Sequence, residues 1–374
     1  MVPNFNVMMK PASGMCNLRC KYCFYTDEME NRETPNLGLM SEETLKNVLT
    51  KVLAETTSIC TIAFQGGEPT IAGLDFFKKA VAYAKELNVN HCKVDFALQT
   101  NGTLLTQEWC QFFAENRFLV GVSLDGVKDT HDRNRLDADD KGTYQRVTRA
   151  LQMLESAGCD FNILTVVTKD TARNFRKIYG FYERNGWEYQ QYIPCLDPLG
   201  EERGQYPWSL TPDKMGEYLK SAFDCWYQDL VAGKKKYHRY FDNLLLMLDG
   251  QMPEACGMAG FCGMQYVVEA DGSTFPCDFY MMDEYCIGNF NTDSIEEMNQ
   301  KRRDIGFIQA SLTPDPECLS CPYKDLCRGG CRRDRDYFEK GIGKNYFCPA
   351  YKEFFAYALP RLQHAYRILA SGRR

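Results

Sequence analysis

The chain has 374 residues, 44% of them hydrophobic and 25% charged, with a formal net charge of −6. A chain of this length buries a core without disulfide staples, and its acidic balance offers no electrostatic footprint for a phosphate backbone, so no nucleic acid partner is expected. No 18 uncharged apolar residues follow one another and the opening "MVPNFNVMMKPASG" lacks a basic segment leading into an apolar run, so no membrane partner is expected and the expected location is cytoplasmic.

In chain order, "FNVMM" at 5–9 reads as a strand that feeds a cysteine-bearing loop. "SEETLKNVLTKVLAE" then reads as a helix with a capping pattern at Ser41. Strands follow at "CTIAFQ" (60–65), "KVDFALQ" (93–99), "FLVGVSLDG" (118–126), "FNILTVV" (161–167) and "YQQYI" (189–193). They are separated by amphipathic helices at "GLDFFKKAVAYAKEL", from Thr106, from Thr143 and from Thr171. Six strand-helix units connected with one hand predict an α/β fold, a partial (β/α)6 TIM-type barrel whose chemistry sits at the carboxyl ends of its strands. Short motifs fall at those ends: the cysteine loop, "GGEPT" at 66–70, "TNG" at 100–102 and "SLDG" at 123–126. From Pro194 a Pro- and Gly-rich connector leads to two helices near 212–231 and 240–249, and the basic stretch "KKKYHR" at 234–239 reads as a solvated face. Beyond Glu254 cysteines are dense and long periodic runs are few. The expected division is therefore a barrel over 1–195, a connector with helices over 196–253, and an irregular cysteine-rich domain over 254–374.

Eighteen cysteines in a chain with no export signal point to bound metal rather than disulfides. Cys16, Cys20 and Cys23 are spaced C-x3-C-x2-C on one loop. Three thiolates can hold three irons of a four-iron, four-sulfur cube and leave the fourth iron open to a substrate or cosubstrate. A zinc site with a distant fourth ligand is the competing reading. The aromatic surroundings "YCFY" suit a shielded site.

This arrangement, with Phe24 after the third cysteine, resembles the radical S-adenosylmethionine superfamily. The resemblance implies that the open iron chelates S-adenosylmethionine and that reductive cleavage gives a 5′-deoxyadenosyl radical. Gly66, Gly67 and Glu68 in "GGEP" resemble the glycine-rich motif beside the cosubstrate's ammonium, where absent side chains permit close backbone approach. Gln65, Ser123, Asp125, Arg135 and Leu196 are further cosubstrate-binding residues implied by the resemblance. Asp125 in "LDG" could equally be a turn residue, and Arg135 a surface arginine.

The later cysteines run from Cys256 and Cys262 through Cys277, then Cys318, Cys321, Cys327, Cys331 and Cys348. By spacing alone, Cys318, Cys321, Cys327 and Cys331 could form a zinc ribbon. The whole constellation resembles the SPASM-type auxiliary domain, which implies two interleaved four-iron clusters. One would take Cys256, Cys262, Cys277 and Cys331, the other Cys318, Cys321, Cys327 and Cys348, giving three [4Fe–4S] clusters in all. Seven cysteines remain, most of them inside predicted strands or helices, where buried small hydrophobes is the simpler reading. Asp278 follows Cys277 in "PCDFY" and is a candidate catalytic base, or a capping or salt-bridging aspartate.

Within that superfamily the chain is most similar to the anaerobic sulfatase-maturating enzymes, through "KPASGMCNLRCKYCFY", "FQGGEPT", "LQTNGTL", "LVGVSLDG", "FNIL", "CLDPL", "YFDNLL", "CGM", "VVEADGSTFPCDFY", "CRGGCRR" and "FCPAYKEFF". The resemblance implies oxidation of a cysteine or serine in a C/S-x-P/A-x-R motif of an unfolded sulfatase polypeptide to Cα-formylglycine. Asp278 would act as base, Tyr25 and Gln65 as substrate contacts, and a flavodoxin or ferredoxin as electron donor. Three other readings stand beside it. One is a SPASM enzyme that crosslinks or epimerises a ribosomal peptide, disfavoured because little sequence precedes Cys16 to hold a recognition domain. Another is a non-enzymatic iron-sulfur electron carrier, which would not need "GGEP". The last is a zinc-binding interaction module, which a colourless purified protein would favour.

Overall fold

A computed structural model of the chain describes residues 1–234, 236–337 and 341–371. In chain order its first elements are β1 (Val2–Met9), α1 (Phe24–Glu30), α2 (Glu42–Glu55), β2 (Thr56–Phe64), α3 (Leu74–Glu86), β3 (Lys93–Thr100), α4 (Gln107–Glu115), β4 (Leu119–Ser123), α5 (Lys128–Asn134), α6 (Tyr144–Ser156), β5 (Phe161–Val167), α7 (Lys169–Arg173), α8 (Phe175–Arg184) and β6 (Tyr189–Pro194). There follow α9 (Pro212–Val231), β7 (Tyr237–His238), α10 (Arg239–Leu248), α11 (Cys256–Ala259), β8 (Tyr266–Val268), β9 (Ser273–Phe275) and β10 (Gly288–Asn289). The alternation is that of an α/β fold, as the period of the sequence requires.

The chain forms two compact units. The first comprises Met1–Ser123, Arg135–Asn162 and Met264–Phe307, and the second Leu124–Asn134, Ile163–Gly263 and Ile308–Arg374. In the first unit β1, β2, β3 and β4 pair in parallel in sequence order. Along β1, Phe5, Val7 and Met9 alternate inward, the period of two that made the strand readable. Helix α2 covers the sheet with Leu45, Val48, Leu49, Val52 and Leu53. Each such side chain, fully removed from water, contributes about 1.5–3 kcal/mol. Ser41 caps this helix by accepting from Thr44 N–H at 3.0 Å. The strands beyond residue 264 extend the same sheet: β8 pairs in parallel with β1, and β9 and β10 continue it antiparallel. Residues inside the expected 254–374 domain thus pack with the amino-terminal strands.

In the second unit β5, β6 and β7 pair in parallel. The helix expected from Thr171 is two helices, α7 and α8, meeting at Asn174. It begins earlier than expected because Thr168 caps it, accepting from Thr171 N–H at 3.2 Å. Two residues of the basic stretch also depart from expectation: Tyr237 and His238 form β7, and His238 is buried because the ladder to β6 carries it inward. The long helix Cys348–Ser371 lies against α9. Among the described residues no helix is long and apolar enough to cross a membrane.

Candidate active site and cysteine clusters

The loop after β1 is folded by its own backbone. Ser13 N–H donates to Lys10 C=O, Met15 N–H to Ala12 C=O, and Cys23 N–H to Cys20 C=O. It rests on the GGEP turn, where Gly67 N–H donates to Ser13 C=O at 2.9 Å and Glu68 N–H to Met15 C=O at 2.7 Å. A Cβ on Gly67 would stand 2.1 Å from the Met15 carbonyl oxygen, and one on Gly66, at φ +132°, 2.9 Å from that of Ser13. The cysteine loop's own backbone is therefore one close approach these glycines accommodate.

Glu68 also has a structural role. Its buried carboxylate accepts from Thr70 N–H, Thr70 Oγ1–H, Thr100 Oγ1–H and Asn101 N–H at 2.6–3.1 Å. Burial raises its pKa and these four donors oppose the rise. The carboxylate thus ties the turn to the end of β3. Asn101 continues the chain of contacts: its Nδ2 lies 3.8 Å from Cys16 Sγ and donates to Asn17 Oδ1 at 2.9 Å. Leu18 N–H donates to the same sulfur at 3.4 Å. Burial pushes the free Cys16 thiol up to about 11, with the Leu18 donor working against it. The Cys16 sulfur is thus met by N–H donors of the kind that stabilise a bound thiolate.

Asp278 is the centre of a second network in the same unit. Tyr25 Oη–H lies 2.9 Å from both carboxylate oxygens, Gln65 Nε2 donates to Oδ2 at 2.9 Å, and Lys10 Nζ pairs with Oδ1 at 3.0 Å. Lys10 is 1% exposed, sits 3.9 Å from the Tyr25 ring centroid and 3.9 Å from Glu28 Oε2. Burial and the neighbouring Asp278 charge raise the Tyr25 pKa far above the phenol range, so this hydroxyl stays protonated and donates to Asp278, while its oxygen accepts from Gln65 Nε2 at 3.1 Å. The structure thereby joins the three residues expected near substrate, Tyr25, Gln65 and Asp278. Phe24 packs edge-on to Phe279 at 5.0 Å and so screens the loop that carries Cys23.

Sequence reasoning passed over Lys10, Glu28 and Asn101. Lys10 and Glu28 look like surface charges, though Lys10 directly follows a strand of alternating burial. Asn101 stood in a noted motif without a role.

The remaining expected cosubstrate residues are spread over both units. In the first, Ser123 Oγ accepts from Gln99 Nε2 at 3.1 Å, and Arg135 is buried with its guanidinium 5.4 Å from the Tyr22 ring centroid; it is not a surface arginine. In the second, Asp125 is buried and its Oδ1 accepts from Val166 N–H at 3.0 Å, which joins the "LDG" turn to β5. Leu196 is half-buried, its carbonyl 3.8 Å from Cys195 Sγ.

The eighteen cysteines are all free thiols. Cys60, Cys92, Cys110, Cys159 and Cys195 are buried, and Cys225 and Cys286 half-buried. In the second unit Cys318, Cys321, Cys327 and Cys348 line one cavity of about 270 Å³, together with Tyr323 and Phe355. Cys331 is not part of that lining. It packs beside α11, its Cβ 3.5 Å from where a Gly257 Cβ would be, and the Cys256 and Cys262 thiols act on it electrostatically. Cys262 N–H donates to Ser311 Oγ at 2.8 Å. Cys277 lies in the first unit, directly before Asp278. Among the described residues no three Cys, His, Asp or Glu side chains converge as ligands of a single ion. A cube offers a separate iron to each thiolate, so ligands set around a cavity suit it better than they suit one zinc ion.

A cysteine loop beside a glycine turn, a buried Asp-Tyr-Lys cluster and a second set of cysteines around a cavity are what the resemblance to radical enzymes with auxiliary iron-sulfur sites implies. Residues 11–182 match the Radical SAM superfamily and residues 256–322 the iron-sulfur cluster-binding domain SPASM. The chain is 43% identical, over 96% of its length and 98% of the relative, to a cysteine-type anaerobic sulfatase-maturating enzyme of Clostridium perfringens. It is 41% identical to that of Clostridium novyi over 98% of both chains. A serine-type enzyme of Bacteroides thetaiotaomicron is 30% identical over 95% of this chain and 89% of the relative. Among solved structures, "Native anSMEcpe with bound AdoMet and Cp18Cys peptide" superposes with a TM-score of 0.94 at 42% identity, covering 98% of this chain and 100% of that one. The chain belongs to the anaerobic sulfatase-maturating enzymes, and it is a radical S-adenosylmethionine oxidoreductase that uses S-adenosylmethionine and [4Fe–4S] clusters.

Proposed function

We propose that the protein acts in the cytoplasm on an unfolded sulfatase polypeptide and oxidises the cysteine of a C-x-P-x-R segment to Cα-formylglycine. The higher identity to cysteine-type than to serine-type relatives supports the choice of cysteine. Cys16, Cys20 and Cys23 would hold the radical cluster. Cys256, Cys262, Cys277 and Cys331 would hold one auxiliary cluster, and Cys318, Cys321, Cys327 and Cys348 the other. When bound, these groups and S-adenosylmethionine supply hydrogen-atom abstraction and one-electron transfer. We read 1–195 as the radical core, 196–253 as connector and 254–374 as the auxiliary part, with a flavodoxin or ferredoxin as donor.

The protein's own residues handle position and protons. Gln65 to Glu68 hold the cysteine loop on the end of the sheet, and Ser123, Asp125, Arg135 and Leu196 are read as cosubstrate contacts. Asp278 would accept the proton of the target thiol as a β-hydrogen atom leaves the same side chain; loss of one further electron, which an auxiliary cluster would take when bound, leaves a thioaldehyde that water converts to the aldehyde with release of hydrogen sulfide. Tyr25, Gln65 and Lys10 each contact the carboxylate, so it is aimed before substrate arrives and little reorganisation remains.

The observation that carries this reading is the Asp278 carboxylate held by Tyr25, Gln65 and Lys10 one residue after Cys277. The test is anaerobic incubation of the reconstituted protein with S-adenosylmethionine, a reductant and a C-x-P-x-R peptide, followed by mass spectrometry. An aldehyde product matched by 5′-deoxyadenosine supports it. 5′-Deoxyadenosine with unchanged cysteine and serine peptides rejects the substrate.

A further inference from the structure

Arg335 is 3% exposed and has no carboxylate within ion-pairing distance among the described residues, whereas its neighbour Arg332 pairs through Nε with Asp336 at 3.6 Å. Its Nη2 donates to Gly260 C=O at 3.3 Å and to Ser311 C=O at 3.1 Å, and its Nε has no partner. These two acceptors flank Cys262: Gly260 precedes it by two residues, and Ser311 Oγ receives the Cys262 N–H. The other end of the guanidinium lies along the loop "CRGGC". A Cβ on Gly329 would stand 3.7 Å from its Nη1. That loop joins Cys327, a lining residue of the four-cysteine cavity, to Cys331, which sits with Cys256 and Cys262.

Arg335 is a buried guanidinium with no ion pair of its own, since the nearby Asp334 carboxylate is paired with Arg203 at 3.6 Å. Isolated buried cations are costly and persist where something nearby supplies negative charge. The guanidinium lies against both cysteine groups: its Nη2 bonds the Gly260 and Ser311 carbonyls beside Cys262, and Gly329, next to its Nη1, lines the cavity of Cys318, Cys321, Cys327 and Cys348.

Building on the ligand sets proposed above, we infer that Arg335 is the shared counter-charge of the two auxiliary clusters and raises both reduction potentials together. A fixed cation stabilises the more negative, reduced state of a cluster, and net charge and sulfur surroundings are the protein's means of setting its potential. One cation acting on both sites keeps their potentials in step, which suits passage of an electron from one to the other. Arg335 is in this sense a tuning residue and touches no reacting atom.

The test is potentiometric titration of the reconstituted protein, followed by electron paramagnetic resonance, with iron and sulfide content measured alongside. Arg335→Gln is expected to shift both auxiliary potentials downward and leave the radical cluster's unchanged, and Arg335→Lys to keep both near wild type. Should Arg335→Gln lose iron, Gly329→Asp takes its place, because it sets a carboxylate beside the guanidinium without removing its hydrogen bonds. It is expected to lower both potentials, while Gly329→Asn of similar shape leaves them. Unchanged potentials, or a shift confined to one cluster in an iron-replete variant, overturn the inference. Wild-type protein with iron for one cluster only would instead overturn the ligand sets on which it rests.

Discussion

Tyr25 and Asp278 stand 253 residues apart in sequence, yet the phenol hydroxyl lies 2.9 Å from both carboxylate oxygens. The contact exists because α1 follows the cysteine loop directly, while β8 pairs with the free edge of β1 and brings the Cys277–Asp278 turn to the same place. Asp278→Asn keeps the shape and removes the base. Formylglycine formation is expected to fall about 10²–10⁴-fold, while 5′-deoxyadenosine release continues, uncoupled from product. Parallel loss of both in an iron-replete variant would mean that Asp278 serves cosubstrate cleavage instead.

Lys10 is the cation of that cluster, with side-chain exposures of 1% for Lys10 and 11% for Asp278. Removing one partner leaves a carboxylate buried without its counter-charge, together with Glu28 at 3.9 Å. Lys10→Met is therefore expected to lose about 3–5 kcal/mol of stability. The check is denaturant unfolding under anaerobic conditions. A loss below about 1 kcal/mol would show that the pair is hydrated.

Gly67 supports the cysteine loop by lacking a side chain. Because its Cβ would stand 2.1 Å from Met15 C=O, Gly67→Ala must lift the loop that carries Cys16, Cys20 and Cys23. The expected result is loss of the radical cluster's iron and of S-adenosylmethionine cleavage, with the auxiliary clusters retained. Iron quantification with electron paramagnetic resonance reads both at once, and wild-type iron with full cleavage would contradict the packing argument.

His238 gives a pH dependence. It is stacked between Tyr192 and Phe241, neither ring nitrogen has a hydrogen-bond partner, and burial lowers its pKa to about 3. The unfolded chain binds this proton near pH 6.5 and the folded chain does not until far lower. Unfolded molecules hold more protons between those values, so stability falls as pH drops from 6.5 toward 3. His238→Phe removes the term: relative to wild type it should gain about 2 kcal/mol between pH 8 and pH 5. Urea unfolding at the two pH values measures this, and an equal difference at both would show that the ring titrates alike in the folded and unfolded chain.

What was legible in the sequence follows from what each feature depends on. The strands β1 to β6 are recoverable because burial on a sheet imposes a period of two or a continuous apolar run. The cysteine groups are recoverable because metal chemistry restricts both residue type and spacing. Lys10 and Glu28 are not, since a charge gives no sign of burial until its partner is known, and Asp278 lies more than 250 residues away. Strands β8, β9 and β10 have two or three residues each and carry too short a pattern to read. Helix α1 was hidden because its first residues, Phe24 and Tyr25, read as part of the cysteine motif. Glu68 illustrates a different limit: its type was noticed, but only the positions of Thr70, Thr100 and Asn101 reveal where its carboxylate points.

The two auxiliary ligand sets can be separated by single substitutions. Spacing alone groups Cys331 with Cys318, Cys321 and Cys327 as a ribbon, whereas in the structure Cys348 shares their cavity and Cys331 sits with Cys256 and Cys262. A cluster missing one thiolate binds weakly or converts to a form short of iron. Cys348→Ala is therefore expected to damage the cluster of Cys318, Cys321 and Cys327 and spare the other, and Cys331→Ala to do the reverse. Mössbauer spectra of iron-57-loaded variants would resolve the two outcomes. If Cys331→Ala and Cys348→Ala abolish the same spectral component, the interleaved assignment is wrong and a single local site takes its place.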